Sequence, residues 1–287
     1  MTEPGDVPEG ATREWLDAQY DARALEPDPD ATLADWQARS GAMRRDHPPQ
    51  VITYGDDPRQ GVDVYSPAPG HGPAPLVVFV HGGYWQALDK ETFGFLAEPF
   101  LAAGAVFASL DYRLVPDVAV ADVVADVRAG IAELARRAGD LGARATGLGL
   151  VGHSAGGHLV AMAMATDWAD HGLPADTVGP VVGISGLYDL EPIRRSYLND
   201  VLGMSPDDAR RSSPVHHAPT GPGPLMLTCG GDEPGEFERQ QRLLATAWPG
   251  VPTTILPQSG GTHFDACARL AAPGPVQEAT VRMLTGA

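Results

Sequence analysis

Lysine is all but missing from this chain, cysteine is rare, and no stretch stays apolar for long. Of 287 residues 20 are basic and 37 acidic, giving a formal charge of −17 at pH 7, and Lys90 is the only lysine. Such a surface repels polyphosphate backbones and anionic lipid, which excludes nucleic acid and the membrane surface as partners. The lysine scarcity accompanies an abundance of Ala, Gly, Pro and Arg, a mark of GC-rich coding, and carries no chemistry. No window approaches the ~18 consecutive apolar residues of a membrane span. The first residues, M-T-E-P-G-D-V-P-E-G, lack both the basic and the apolar part of a secretory leader, so a cytoplasmic location is expected. Cys229 and Cys267 are the only cysteines, and Cys229 falls in an apolar run, so two reduced thiols are expected rather than a disulfide.

What is present is a large apolar fraction, 43%, enough for a sizeable core. Thr12 to Ala22 and Ala31 to Arg44 read as two short amphipathic helices with Trp15, Leu16, Tyr20 and Trp36 as their apolar contacts, interrupted at P-D-P-D. Val51 to Tyr54 and Gly61 to Tyr65 alternate across a turn-rich segment and predict an antiparallel hairpin at a sheet edge. From Leu76 onward the pattern changes to continuous apolar runs, the mark of strands buried on both faces. Runs at Leu76, Ala105 to Leu110, Thr146 to Val151, Thr177 to Ser185, Leu225 to Cys229 and Thr253 to Leu256 alternate with helical segments. These segments are Asp89 to Ala102, Asp117 to Ala138, Ala155 to Trp168, Phe237 to Trp248 and Pro275 to Leu284. Repeated βα units predict an α/β fold, a mostly parallel twisted sheet with helices on both faces. No shift in composition divides the chain, so one unit over 1–287 is expected, with Leu187 to Thr220 as a lid-like insertion.

Chemistry concentrates at Val151 to His158, V-G-H-S-A-G-G-H. Gly152, Ser154 and Gly156 form G-x-S-x-G between a predicted strand and a predicted helix, the context in which a serine stands exposed at a sharp turn. Small flanking residues fit because the turn brings the helix backbone against the strand. A serine attacks only when a histidine takes its proton, and that imidazole needs a carboxylate to orient it. In G-x-S-x-G hydrolases the chain order is serine, acid, histidine. His263, in the glycine-rich S-G-G-T-H-F-D after the last strand, is the histidine of choice. His216 and His217 precede the acids, His153 and His158 flank the serine, and His81 is expected to brace its own loop. The acid follows the Leu225 to Cys229 run, where Asp232 and Glu233 compete. Donors for an oxyanion are expected from the backbone of Ala155 and, in H-G-G-Y-W, of Gly83 and Tyr84. These residues are expected to act on a small-molecule substrate without a cofactor, and no motif specifies an oligomeric state.

Taken together, H-G-G-Y-W at His81 to Trp85, D-Y-R-L at Asp111 to Leu114, G-H-S-A-G-G-H at Gly152 to His158, G-L-Y-D-L at Gly186 to Leu190 and E-P-G-E-F-E-R-Q at Glu233 to Gln240 resemble one family. It is the α/β-hydrolase-fold kynurenine formamidases (arylformamidases), relatives of the hormone-sensitive-lipase-like esterases. The resemblance implies Glu233 as the acid, because in that family the acid stands three residues before a Glu-Phe pair, here Glu236-Phe237. It implies hydrolysis of N-formyl-L-kynurenine to kynurenine and formate, with Tyr84, Trp85 and Tyr188 at the mouth of the site against the aromatic ketone. A general carboxylesterase for small acyl or aryl esters is the alternative, and an inactive hydrolase fold used for binding is a third reading. G-T-H-F-D-A at Gly261 to Ala266 looks like the metal motif of an unrelated formamidase family. Ser259 stands where that motif needs a histidine and Arg269 where a further ligand would be sought, so no metal is expected.

Overall fold

Leu76–Val80, unbroken by any polar residue, is the strand on which the sheet is centred. Alternate side chains of a strand point to opposite faces; Leu76, Val78 and Val80 enter one apolar cluster and Val77 and Phe79 the other, which is why every position is apolar. The computed structural model describes residues 10–286 other than 69 and 71, so the leader-free reading of the first residues lies almost wholly outside the described ones.

The strands are β1 Gln50–Thr53, β2 Gly61–Tyr65, β3 Leu76–Val80, β4 Val106–Leu110, β5 Leu148–His153, β6 Val178–Ile184, β7 Leu225–Thr228 and β8 Thr253–Ile255. They form one eight-stranded sheet in the order β1-β2-β4-β3-β5-β6-β7-β8. β1 and β2 pair antiparallel at one edge, β2 pairs antiparallel with β4, and the other pairings are parallel. The order reverses between β3 and β5, the kind of switch point at which ligands bind beyond the carboxyl ends of strands. Register brings those ends level: Val80 pairs with Gly152, Gly152 with Gly183, and Ile184 with Thr228. The residues that follow, His81 and Gly82, Ser154, Ser185 and the loop after Thr228, therefore leave the sheet along one rim.

Some boundaries differ from the expectation for identifiable reasons. Residues 89–102 are not one α-helix but a 3₁₀ helix, Lys90–Ala97, followed by the α-helix Glu98–Ala102. Ser40, from the preceding N-terminal helix, donates to Thr92 O (2.8 Å) and accepts from Phe95 N (3.1 Å), taking backbone groups that an α-helix would pair internally. That N-terminal helix, Pro29–Asp46, starts inside P-D-P-D because Asp28 caps it on Ala31 N and Pro29 suits a first turn. The first helix, Arg13–Tyr20, buries Leu16 and Tyr20, whereas Trp15, expected as a core contact, is 39% exposed. The helix after Ser154 ends at Met164, and Trp168 opens a separate 3₁₀ turn. Among the described residues no helix is long and apolar enough to cross a membrane.

The insertion carries three short α-helices, Glu191–Arg194, Asn199–Leu202 and Pro206–Arg211, and a 3₁₀ turn, Pro214–His216. The first N-terminal helix holds it from outside: Asp17 accepts from Tyr197 N (2.6 Å), and Arg13 pairs with Asp200. Inside, two aromatic residues expected at the mouth of a site are core residues instead. Gly83, Tyr84 and Trp85 all have positive φ, a turn that carries the Trp85 indole into the interior, where it is fully buried. Tyr188 is equally buried, its ring lying over Gly183 and Gly186, where any Cβ would come within 2.2 Å of its hydroxyl.

His158 is the hub of this packing. Its Nδ1 accepts from Trp85 Nε1 (3.2 Å) and its Nε2 donates to Ser212 O (2.6 Å), so the imidazole serves as a neutral donor and acceptor at once. Burial lowers its pKa from 6.5 to about 4. Between those values the unfolded chain binds a proton that the folded chain refuses. Stability is therefore complete above pH 6.5 and falls as the pH drops toward 4, by about 1.4 kcal/mol per pH unit from this residue. Thermal unfolding across this window should show a steeper pH slope for the wild type than for His158→Gln, which keeps a donor but cannot titrate; equal slopes would refute the neutral, buried imidazole.

Candidate active site

The end of β5 sets the site. Gly152 and Gly156 permit the chain to fold back on itself: a Cβ on Gly152 would lie 2.1 Å from Gly156 O, and one on Gly156 would lie 1.9 Å from Val80 O. Between them Ser154 takes φ 57° and ψ −121°, a conformation that a side-chain-bearing residue adopts only under constraint. Its hydroxyl is buried with no hydrogen-bond partner among the described residues, and it opens with His263 onto a common cavity.

His263 begins the short helix His263–Ala268, whose cap is reciprocal: Thr262 accepts from Asp265 N and Asp265 accepts from Thr262 N. Its Nδ1 lies 2.6 Å from Glu233 Oε2. That bond places the proton on Nδ1 and leaves the Nε2 lone pair for the serine side. The imidazole is pressed between the Phe237 ring, with centroids 4.9 Å apart, and the His153 ring, at 4.5 Å. Glu233 is fixed in turn, its Oε1 accepting from Ser185 Oγ (2.5 Å) and Gly230 N (2.6 Å). The two rival carboxylates have separate uses, since Asp232 is exposed and accepts from Gly261 N (2.7 Å), closing the glycine loop beneath His263.

Opposite Ser154 stands the H-G-G-Y-W loop. Among the described residues no acceptor takes the N–H of Gly83, Tyr84 or Ala155, which leaves all three for a ligand oxygen. The loop is held from behind: His81 Nδ1 donates to Gly82 O (2.8 Å), its Nε2 lies 3.1 Å from Asp111 Oδ1, and Tyr112 donates to His81 O (2.9 Å). Tyr84 stays at the cavity, its hydroxyl donating to Tyr20 O (2.6 Å), and burial raises that phenol well above its ordinary pKa.

The cavity measures about 310 Å³. Its aromatic walls are Trp36, Tyr84, Tyr197 and Phe264, with Leu33, Leu88 and Leu198 beside them and Asp21, Arg23 and Gln86 as polar members. Trp85 and Tyr188 are absent from it for the packing reasons above. Part of this wall, Asp21, Arg23, Leu33 and Trp36, comes from the N-terminal helical segment, in which the sequence showed no chemistry. Ser185 and His153 were likewise missed as site residues, although Ser185 follows a strand end and His153 precedes the serine. The E-F-E-R-Q segment does not face the cavity as a recognition element. Glu236 accepts from Tyr20 (2.7 Å) and Arg239 (2.7 and 2.8 Å), while Gln240 accepts from Tyr188 N and Asp189 N, each at 2.7 Å. The segment joins the acid loop, the insertion and the first helix. Among the described residues no cluster of three His, Cys, Asp or Glu could hold a metal ion.

Comparison with known proteins finds hydrolases of the formamidase and esterase type. The chain is 37% identical over 163 residues to the kynurenine formamidase of Danio rerio, an alignment covering 57% of this chain and 54% of that protein. Thus the matched part spans about half the length of that relative. Esterase LipC of Mycobacterium tuberculosis is 30% identical over 267 residues, covering 81% of this chain and 66% of that one. Among solved structures, a Silicibacter protein provisionally called a thioesterase superposes with a TM-score of 0.81 at 29% identity, covering 94% of this chain and 98% of the other. An esterase from Thermogutta terrifontis gives 0.60 at 26% identity, covering 74% and 82%. The family model described as BD-FAE matches residues 62–233, a stretch that contains the H-G-G-Y-W loop, the Ser154 elbow and the Glu233 loop. On more than half of its length, the chain belongs to the BD-FAE family and carries the α/β-hydrolase fold.

Proposed function

We propose that the protein is a cofactor-free serine hydrolase that cleaves N-formyl-L-kynurenine, an aryl formamide, to kynurenine and formate. The observation that carries this reading is the Glu233–His263 bond, 2.6 Å long, with His263 and the unpartnered Ser154 hydroxyl opening onto one aromatic-walled cavity. In this scheme Ser154 Oγ attacks the formyl carbon while His263 Nε2 takes its proton and Glu233 compensates the imidazolium. The oxyanion is held by the N–H groups of Gly83, Tyr84 and Ala155. Collapse expels the arylamine, which receives the proton from His263. Water, deprotonated by the same imidazole, then releases formate from the formyl-serine. The insertion, with the N-terminal segment, caps the site within one α/β unit.

Support for the substrate comes from the cavity. At about 310 Å³ it lies at the small end of ligand pockets, and its four aromatic walls suit an aryl ketone. Asp21 and Arg23 bring one charge of each sign, complementary to the ammonium and carboxylate of an amino-acid head group. Similarity to kynurenine formamidases points the same way, whereas similarity to LipC and the Thermogutta enzyme favours the second reading, a carboxylesterase for small acyl or aryl esters.

Turnover distinguishes the two. For a formamidase, kcat/KM for N-formylkynurenine should exceed that for aryl acetates and fall steeply as the ester acyl chain lengthens to butyrate and hexanoate. Good butyrate turnover with negligible formylkynurenine hydrolysis would establish the esterase reading. Ser154→Ala should lose about 10⁴ to 10⁶ in kcat and all labelling by a fluorophosphonate. Labelling at another residue would remove Ser154 from its role. Glu233→Gln should lower kcat at least about tenfold more than Asp232→Asn, because only Glu233 bonds the imidazole. The opposite ranking would assign the acid to Asp232.

A further inference from the structure

His153 precedes the candidate nucleophile, and acyl transfer as written above gives it no task. Its Nε2 lies 3.0 Å from the backbone carbonyl oxygen of His263. A carbonyl oxygen only accepts, so Nε2 carries a proton. Burial and the neighbouring His263 imidazole hold the ring's pKa well below its ordinary value, so the ring is neutral. A neutral imidazole protonated at Nε2 has a bare lone pair at Nδ1.

That lone pair lies on the side of the ring that neighbours Gly82, next to Ser154. A methyl placed on Gly82 would be 2.9 Å from Ser154 Cβ and 3.4 Å from His153 Nδ1, so the two atoms converge on one point beside the oxyanion loop. His153, Ser154 and His263 line the cavity together. The backbone groups assembled there, those of Gly83, Tyr84 and Ala155, are all donors. His153 Nδ1 is an acceptor on the same cavity.

An ester has no hydrogen on its leaving atom, whereas a secondary amide has one. As the tetrahedral intermediate forms, the amide nitrogen becomes pyramidal and its lone pair must turn toward the proton on His263, which turns its N–H elsewhere. Resting on the hydrolase reading above, we propose that His153 Nδ1 accepts the N–H of the scissile formamide during this step and thereby selects amides over esters. The hydrogen stays on nitrogen throughout, and no bond beyond those of acyl transfer is made or broken.

Two substitutions separate this role from the bond to His263. His153→Gln can keep a donor near the Nε2 position but loses the acceptor at Nδ1. His153→Asn can keep an oxygen near Nδ1 but is too short to reach the His263 carbonyl. The quantity to measure is the ratio of kcat/KM for formanilide to that for phenyl formate, corrected for spontaneous hydrolysis. His153→Gln should lower it by about tenfold, while His153→Asn should keep it within about threefold even as both rates fall. A wild-type ratio in His153→Gln, or an equal loss in both variants, would overturn the proposal. Should either variant fail to fold, the wild type still decides: N-methylformanilide, which has no N–H, should acylate Ser154 at least about tenfold more slowly than formanilide, and equal rates would overturn it. Absence of any formamide turnover by the wild type would remove the formamidase reading and this role together; turnover with an unchanged ratio would remove only the role of His153.

Discussion

The contact between the backbone of Gly156 and the carbonyl of Val80 governs the arrangement of this molecule. With no room for a Cβ there, the helix after Ser154 lies directly on the end of β3, and Ser154 is forced into its positive-φ turn. The same approach brings Gly82 against Ser154 and His153, so the donor loop and the hydroxyl are adjacent without any side chain having to place them. Strain at the serine is sustained by the paired strands on either side, β3 and β6.

Around this fixed point the histidine and acid are held by bonds that cross between separate loops. Ser185 follows β6, Gly230 and Glu233 follow β7, and His263 follows β8, so one carboxylate joins three strand ends. Phe237, from the helix after the acid, supports the imidazole face. Polar groups buried together in this way are satisfied by one another, and each oxygen of Glu233 has a defined use.

The cavity depends on chain far from these loops. Trp36 packs on Phe264 beside His263, Tyr20 O anchors Tyr84, and Glu26 accepts from Thr262 Oγ1 (2.6 Å) next to the histidine. The segment that supplies them is itself moored to the sheet, where Asp63 of β2, wholly buried, is paired with Arg44 and lies 3.7 Å from Lys90 Nζ. The one lysine of the chain thus serves a buried carboxylate rather than the surface.

Much of this was legible from local patterns. Continuous apolar runs marked β3 to β7 because strands covered on both faces carry mostly apolar side chains. Glycines at 152 and 156 marked the elbow because the backbone approach there excludes every other residue. The H-G-G-Y-W loop and His263 stood out by chain order and glycine content. What lies beyond local pattern is side-chain direction in irregular backbone. Asp232 and Glu233 are neighbours in the chain, and only the position of Ser185, 48 residues away, and of His263, 30 away, decides which one is the buried partner. Trp85 and Trp36 illustrate the same limit: the first stands next to the oxyanion loop in sequence and turns into the core, while the second stands far from every motif and lines the cavity. The sequence by itself determined the elbow, its flanking glycines and the strands that carry them, since these answer to short-range sterics and burial. Tertiary structure showed which carboxylate bonds His263, which aromatic residues wall the cavity and what His153 touches, since these depend on which distant loops meet above the sheet.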